Sequence, residues 1–439
     1  VPARRVAVIG TGYVGLTTGA CLASLGHRVV CADADPHKVE RLRQARVDIL
    51  EPDLPGTVRD ALDAGLLEFT GDTAAAVAEA EVVFLCLPTP MGAGGAADLA
   101  AVEAVADQIR DVLPTGCVVV NKSTVPVGTS ERVAALLDRA DVAVVSNPEF
   151  LREGRAVHDF LHPDRIVIGA ADQDAARRVA DLYAGLDAPL VLTDPASAEL
   201  TKYAANFFLA MKLSFANNLA TVCERFGADI SDVTEGIGRD PRIGSAFLRP
   251  GPGWGGSCLP KDTHALLTAC DQAGVDFPLL SATIETNVTH QRRLVERVTA
   301  ACGSTDGSLR GVRIALYGLT FKAGTSDLRD SPALAVARLL RERGAELTAF
   351  DPALREERPD LSDLVELVDD PVRAADGAAA CVVLTEWPEL RDLDWAAIAA
   401  RMAGHEVHDF RNLLDADRLA RAGLNWRGIG RTAAPARVA

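Results

Sequence analysis

The stretch Arg5–Asp33, RVAVIGTGYVGLTTGACLASLGHRVVCAD, decides the fold. Val6-Ala7-Val8-Ile9 is a short apolar strand that runs into Gly10, Gly12 and Gly15 in GxGxxG spacing, and a helix follows until Gly26 stops it. A second strand then closes on Asp33. Glycines in these places let a pyrophosphate approach the backbone at a helix N-terminus, and an acid at the end of the second strand accepts both hydroxyls of an adenosine ribose. Asp33 therefore favours NAD over NADP, whose extra phosphate it would repel. GxGxxG alone is a weak sign; in a strand, turn, helix, strand frame with a terminal acid it predicts a dinucleotide-binding, Rossmann-like domain.

Further apolar strands are expected at Val82–Leu87, Cys117–Asn121, Val142–Ser146 and Ile166–Ile168, the first three running into PTP, KSTVPVGT and NPEF. Strand ends of this composition are where open α/β sheets carry ligands. A parallel sheet is thus predicted over residues 1–195. Asp194 and Pro195 then supply an N-cap and a first-turn proline for a helix running to Gly227. Leu200, Ala204, Phe207, Met211, Phe215, Leu219, Val222 and Phe226 form an apolar stripe along it, suited to a subunit contact or equally to a core. Lys202 and Asn206, four residues apart on the same helix, stand one above the other.

A central helical region, 196–308, is expected to hold a short helix in GADISDVTEGIGRDPRIG, the loop Gly251–Asp262, GPGWGGSCLPKD, and another helix from Asp262 onward. After the polar break ACGSTDGSLRG, residues 312–351 repeat the strand, loop, helix, strand order and end on Asp351, without GxGxxG. Their loop offers Lys322, Thr325 and Arg329, which suit a charged substrate better than a dinucleotide. AACVVLTEWPEL and HEVHDFRNLLD add two strands to this third part, 309–430, and a loose tail covers 431–439. The expected fold class is α/β: two Rossmann-like parallel-sheet domains joined by a helical centre with a long connecting helix.

The 439 residues carry 45 Lys and Arg against 61 Asp and Glu, a formal charge of -16 that excludes a nonspecific nucleic-acid binder. No apolar run reaches the length of a membrane span, and the early first strand leaves no room for a signal peptide. The nine cysteines show no CxxC pair and no zinc-like spacing, so reduced thiols in a cytoplasm and no metal site are expected. Most sit in apolar segments and read as small core hydrophobes; Cys258, among glycines and followed by Lys261 and Asp262, does not.

A thiolate is a nucleophile, so it needs a carbonyl to attack. Beside a bound NAD, an alcohol oxidised once gives an aldehyde, and addition of the Cys258 sulfur makes a thiohemiacetal whose carbon still bears a hydrogen. A second hydride can leave from that adduct, giving a thioester that water hydrolyses to an acid. One cysteine thereby turns a two-electron site into a four-electron one. Gly255 and Gly256 are read as leaving space for substrate beside the sulfur, and a nearby lysine favours the thiolate.

Through GTGYVGL, PTP, KSTVPVGT, NPEFLREG, KYAANFFLA, GRDPRIG, GGSCLPKD, GLTFKAGTSDLRDSP, VVLTEWPE and DFRN, the chain resembles the UDP-glucose/GDP-mannose dehydrogenase family over nearly its whole length. The resemblance implies Cys258 as the nucleophile, Lys202 stabilising oxyanion charge, and Asn206 and Thr124 holding the sugar end and the reactive water. Asp262 would organise that water and the lysine as the acid–base system of the first oxidation, and Glu149 would assist thioester hydrolysis. It implies a cofactor site from Gly10, Gly12, Tyr13, Val14, Gly15, Asp33, Lys38, Thr89, Thr124, Glu153 and Lys261. Around the nucleotide sugar it implies Glu149, Phe150, Leu151, Lys202, Asn206, the loop Phe247-Leu248-Arg249, Gly255, Lys322 and Arg411. Arg242 matches a residue that reaches into the partner's active site, which implies a homodimer.

PGPGWGGSCLPKD and KSTVPVGT look more like the members that oxidise UDP-glucose, by two NAD and water to UDP-glucuronate, than like those acting on GDP-mannose. Trp254 stands where phenylalanine or tyrosine is common, and DILEPDLPG departs from the family's IYEPGL at Leu50 and Asp53. GDP-mannose or UDP-N-acetylmannosamine oxidation by the same chemistry is the nearest alternative. A nucleotide-sugar sensor without turnover is a reading of another class, against which intact Cys258, Lys202 and Asp262 argue. A two-electron dehydrogenase of 2-hydroxy acids or 6-phosphogluconate would need the N-terminal fold alone.

Overall fold

In the computed structural model, residues 2–354 and 358–431 are described. The tail expected over 431–439 lies, apart from Arg431, outside them. The chain divides into two compact units, Val1–Ala205 with His264–Val275, and Asn206–Thr263 with Asp276–Ala439.

The first unit is built on strands β1 (Arg5–Ile9), β2 (Arg28–Ala32), β3 (Leu67–Thr70), β4 (Val82–Leu85), β5 (Val118–Asn121), β6 (Ala143–Ser146), β7 (Ile166–Ala170) and β8 (Leu190–Thr193). They lie in the order β3-β2-β1-β4-β5-β6-β7-β8. β4 and β5 are buried along their whole length, as parallel strands covered by helices on both faces must be. The period of two shows in β1: Val6 and Val8 enter one core, Ala7 and Ile9 the other. The sheet departs from the all-parallel expectation at one join, where β6 and β7 run antiparallel through Val145 with Ala170 and Ser146 with Gly169. β3 and β8, short or at the sheet edge, were not expected from the sequence.

The second unit carries β9 (Arg313–Tyr317), β10 (Glu346–Phe350), β11 (Glu366–Leu367), β12 (Ala380–Val383), β13 (Glu406–Asp409) and β14 (Asn425–Gly428), all parallel in the order β11-β10-β9-β12-β13-β14. This repeats the order of the first six strands of the other sheet, the doubly wound pattern that places ligands where strand order reverses. Again alternate residues divide between two cores, Ile314 and Leu316 on one face, Ala315 and Tyr317 on the other. The fold class is therefore α/β with two Rossmann-like sheets, as the sequence predicts.

The long helix spans Pro195–Phe226. Asp194 caps it, its carboxylate accepting from the Ser197 N–H at 2.8 Å, and Gly227 ends it at φ +73°. The stripe read from its sequence divides: Phe207 is buried and Leu219 packs against a core of the second unit, whereas Leu200, Phe215, Val222 and Phe226 are 45%, 51%, 47% and 84% exposed, as is Phe208 beside them at 55%. Small and polar residues such as Ala210, Ser214, Asn217 and Ala220 make up much of the buried face. Spacing alone marks an apolar face; it does not say what covers it. The helix after the cysteine loop, Leu259–Gln272, begins three residues earlier than Asp262, so Asp262 falls in its first turn.

Candidate active site

In the first unit the glycine turn is fixed by how little room it has. Gly10 sits at φ +93°, and a Cβ there would meet the Cys86 carbonyl oxygen at 2.5 Å; one on Gly15 would meet the Gly10 carbonyl oxygen at 1.9 Å. A Cβ on Gly12 would meet nothing within 4 Å, so the turn is open on the side of the helix N-terminus at Tyr13–Ser24. Asp33 accepts from the Thr11 N–H at 2.9 Å and hydroxyl at 2.5 Å, and pairs with Lys38 at 3.0 Å. Burial opposes its charge, but these bonds and that from the Asp35 N–H outweigh it and hold the carboxyl down at about 2. An open glycine turn at a helix start with an ionised acid beside it fits the pyrophosphate and ribose of NAD. Tyr13 and Val14 open that helix, half-buried.

The carboxyl ends of β4, β5 and β6 carry the next group. The Thr89 hydroxyl donates to the Thr124 carbonyl at 2.9 Å and Ser123 to that of Leu87 at 2.6 Å, tying the two strand ends together. After β6, Glu149 is buried and accepts from the Leu151 N–H at 2.6 Å and from the Lys202 ammonium at 2.9 Å. Its pKa is lowered: burial raises it, but the Lys202 charge and these bonds prevail, with Lys122 adding to them. Lys202 also lies 5.4 Å from the Phe150 ring centre, and the Arg165 guanidinium sits over the same ring at 3.5 Å. A charged pair taken almost wholly out of water is kept by such bonds and is costly to break singly.

Four residues here escaped the sequence reading. Glu51 accepts from the Gly154 and Ala156 N–H groups at 2.7 and 2.6 Å and so fixes the loop that holds Leu151, Arg152 and the half-buried Glu153. Glu199 accepts from Gly128 and Ser130 and pins the end of KSTVPVGT to the long helix. Arg165 covers Phe150. Lys122 is buried, donating to Asn147 at 3.0 Å and Tyr183 at 3.3 Å. The signals were there in Glu51 of EPDLPG, an acid just before a helix start, and in Lys122 of KSTVPVGT, a lysine at a strand end, but their partners are distant in sequence.

In the second unit, Cys258 is exposed and directly precedes its helix. The Asp262 N–H donates to the Cys258 carbonyl at 2.9 Å, while the buried Asp262 carboxylate accepts from Asn206 at 2.5 Å and from Lys261 at 2.6 Å. The Ser257 hydroxyl lies 3.5 Å from the Cys258 sulfur. The glycines upstream do not leave the space assigned to them: a Cβ on Gly255 would meet the Asp330 carbonyl oxygen at 2.0 Å and one on Gly256 the Phe321 ring at 2.8 Å. They are glycines because the loop packs against residues 321–332. Trp254 is buried with its indole N–H on the Ser214 hydroxyl at 2.9 Å, and Asn287 both donates to and accepts from its backbone.

Arg411 stands against this loop, its Nη1 3.2 Å from where a Gly251 Cβ would lie, and it pairs with Glu386 at 3.0 Å and donates to the Phe321 carbonyl at 3.3 Å. The Lys322 ammonium lies 5.4 Å from the Phe321 ring centre. Of the other two loop residues singled out, Arg329 pairs with Asp327 at 2.6 Å and Thr325 accepts from the Asp327 N–H at 3.1 Å. Arg242 is 87% exposed at its side chain and pairs with Asp240. Phe247 holds φ +62°, a strained value for an aromatic residue, between exposed Ala246 and buried Leu248, with Arg249 exposed. Among the described residues no His, Cys, Asp and Glu cluster could hold a metal, and no helix is long and apolar enough to cross a membrane.

Three family models match in chain order. Residues 4–187 match the NAD binding domain of the UDP-glucose/GDP-mannose dehydrogenase family, 196–289 its central domain and 315–416 its UDP binding domain. A UDP-glucose 6-dehydrogenase of Rhizobium meliloti (strain 1021) is 44% identical over 437 residues, covering 97% of this chain and 99% of the relative. Among solved structures, a UDP-glucose dehydrogenase from Pyrobaculum islandicum matches with TM-score 0.90 and 39% identity over 98% of this chain and 100% of its own. A UDP-D-ManNAc dehydrogenase from Pyrococcus horikoshii matches with TM-score 0.87 and 28% identity over 97% and 99%.

Proposed function

Because this chain belongs to the UDP-glucose/GDP-mannose dehydrogenase family, we propose that it oxidises UDP-glucose with two NAD and water to UDP-glucuronate and two NADH. The observation that carries the reading is the exposed Cys258 thiol one helical turn from a buried Asp262 bonded to Asn206 and Lys261. NAD, when bound, accepts the hydride of each oxidation. The chain supplies the rest. Asp262, with a lysine, takes the proton of the substrate alcohol; the Cys258 sulfur adds to the resulting aldehyde and later leaves as water attacks the thioester. Lys202 offsets the negative charge that develops on oxygen, and its bond to Glu149 lets the carboxylate take a proton from the attacking water. Asn206 and Thr124 orient the sugar end and that water.

Tyr13, Val14, Lys38, Thr89, Glu153 and Lys261 join the three glycines and Asp33 around the cofactor in this reading. Phe150, Leu151, Phe247, Leu248, Arg249 and the Gly255 backbone contact the nucleotide sugar, and Lys322 and Arg411 meet its charged portion. The three-part division into 1–195, 196–308 and 309–430 is ours too, and the matched family domains support it. So is a homodimer through the exposed apolar stripe of Pro195–Phe226, with Arg242 reaching the partner's site. Nine thiols without a disulfide suit a reducing cytoplasm.

The test is NAD reduction by the full chain with UDP-glucose, GDP-mannose and UDP-N-acetylmannosamine. UDP-glucose turning over fastest, with two NADH per sugar, is the expected result. Cys258→Ala should lose acid formation and keep at most a slow first oxidation. A single NADH per sugar with an active Cys258→Ala would overturn the four-electron chemistry, and preference for another sugar would move the substrate. Phe215→Glu should shift the dimer to a monomer in light scattering if the stripe is the subunit contact.

A further inference from the structure

The second unit holds a recess of about 390 Å³ away from the cysteine loop, lined by Arg297, Ala300, Ala301, His408, Arg427 and Arg431 among others. Arg297 comes from the helix Pro278–Ala301, whereas His408 and Arg427 are register partners on β13 and β14. One turn before Arg297 on the same helix, Arg293, which does not itself line the recess, shares the Glu224 carboxylate with it.

Among the described residues their counter-ions fall short. Glu224 serves both Arg297 at 2.8 Å and Arg293 at 3.7 Å, Glu406 serves Arg427, and Asp229 serves Arg431 at 2.9 Å. These pairings set four guanidinium groups against three carboxylates and leave one positive charge over. Among the described residues, three buried polar atoms in this region have no hydrogen-bond partner: Nη2 of Arg293 and both ring nitrogens of His408. Burial of polar atoms without partners is expensive, so such a group calls for something that completes it.

His408 identifies the kind of ligand. It is fully buried, and burial, then Arg297, then Arg427 against the opposing Glu406 push its imidazole down to about 3. It is therefore neutral at physiological pH, with one nitrogen that donates and one that accepts. A carboxylate brings one negative charge on two oxygens. A phosphate group brings up to two on three oxygens, which together can accept from several guanidinium N–H groups and from the donating ring nitrogen. The recess volume is within the range of small-ligand sites.

We propose that this recess binds a phosphate group, as the free ion or on a small metabolite, through Arg297, Arg427 and Arg431 over His408. The ligand supplies the missing negative charge and the missing partner for the imidazole. None of its lining residues belongs to the cysteine loop or to the residues proposed around the nucleotide sugar.

The test uses the full chain with isotope-labelled histidine rings, the His408 signal being assigned by its loss in His408→Gln. Inorganic phosphate added at constant ionic strength should move that signal along a saturating curve, and chloride should not. Arg427→Gln and Arg431→Gln should each raise the midpoint at least about tenfold; Arg431→Gln stands alone if the other variant does not fold. A matching titration with glucose 6-phosphate separates the sources: movement with both ligands assigns the site to phosphate groups in general, movement with phosphate alone to the free ion. A His408 signal that stays still through millimolar concentrations of both, or moves equally in chloride or in folded arginine variants, would overturn the proposal.

Discussion

Gly10 and Gly318 each follow the first strand of a sheet, at φ +93° and +89°, and each donates its N–H to the end of the neighbouring strand, to Ala32 and Phe350, at 2.8 Å. Each is pressed against the residue that leaves the next strand, Cys86 in one unit and Thr385 in the other. In each, the following N–H meets an acid at the end of the second strand, Thr11 on Asp33 at 2.9 Å and Leu319 on Asp351 at 2.7 Å. The two turns then part. The first has an exposed Gly12 and begins its helix at Tyr13; the second runs through a loop to Ser331, which caps a helix beginning at Pro332. Asp33 keeps part of its carboxylate in solvent, while Asp351 is buried and accepts also from the Thr320 N–H and hydroxyl. One construction thus yields a dinucleotide turn where the loop is short and a braced loop bearing Lys322 where it is long.

The largest effect should come from filling the turns. Gly15→Val drives a side chain into the Gly10 carbonyl, and Gly318→Val drives one into Thr385 at a φ that disfavours it. Each should cost roughly 3 kcal/mol or more of stability. Only Gly15→Val should abolish NAD binding, measured by quenching of protein fluorescence. Equal loss of NAD binding in folded Gly318→Val would break the distinction between the turns.

Next come the two acids. Asp33→Asn should weaken NAD about tenfold or more and lower stability at neutral pH by about 2 kcal/mol, whereas Asp351→Asn should lower stability by a similar amount and leave NAD affinity alone. The pH dependence follows from the first of them. Asp33 in the fold lies at about 2, below an ordinary aspartate, so its stabilising contribution is complete above about pH 4 and is lost as pH falls towards 2. Denaturant midpoints of the wild type and Asp33→Asn should converge over that window.

The sequence made the repeated construction legible because its marks are local: glycine after a strand, acid at the next strand's end, proline and aspartate at the start of the long helix. It was silent where the decisive partner is far along the chain. The antiparallel join of β6 and β7 depends on a long connection, and Gly255 and Gly256 on residues 321–332. The stripe of Pro195–Phe226 was visible as a period, but not that Phe207 is buried while Leu200, Phe215, Val222 and Phe226 face outward, since periodicity carries no information about which side is covered. In the candidate site, Cys258, Asp262, Asn206, Lys202 and Glu149 were all singled out, yet the pairing of Glu149 with Lys202 required the fold.

The smallest effect sharpens the comparison at the second strand beyond each reversal point. β5 ends at Asn121 and is followed by buried Lys122; its counterpart β13 ends at Asp409 and is followed by buried Phe410. Burial lowers Lys122 to about 8, with Lys202 acting in the same direction and Glu149 opposing. Its unfolded form binds the proton more tightly, so the stability of the wild type should rise with pH from about 8 towards the ordinary lysine value near 10.4. Lys122→Met gives the first unit the apolar choice of the second and should remove that rise. At pH 7 it should change stability by less than about 1 kcal/mol, because relief of a buried charge opposes the loss of two hydrogen bonds. Asn147 stays satisfied through the Tyr183 hydroxyl at 2.5 Å. A variant whose midpoint still climbs above pH 8 would place the titrating group elsewhere, and a large loss at pH 7 would make Lys122 a brace for its strand end rather than a tolerated charge.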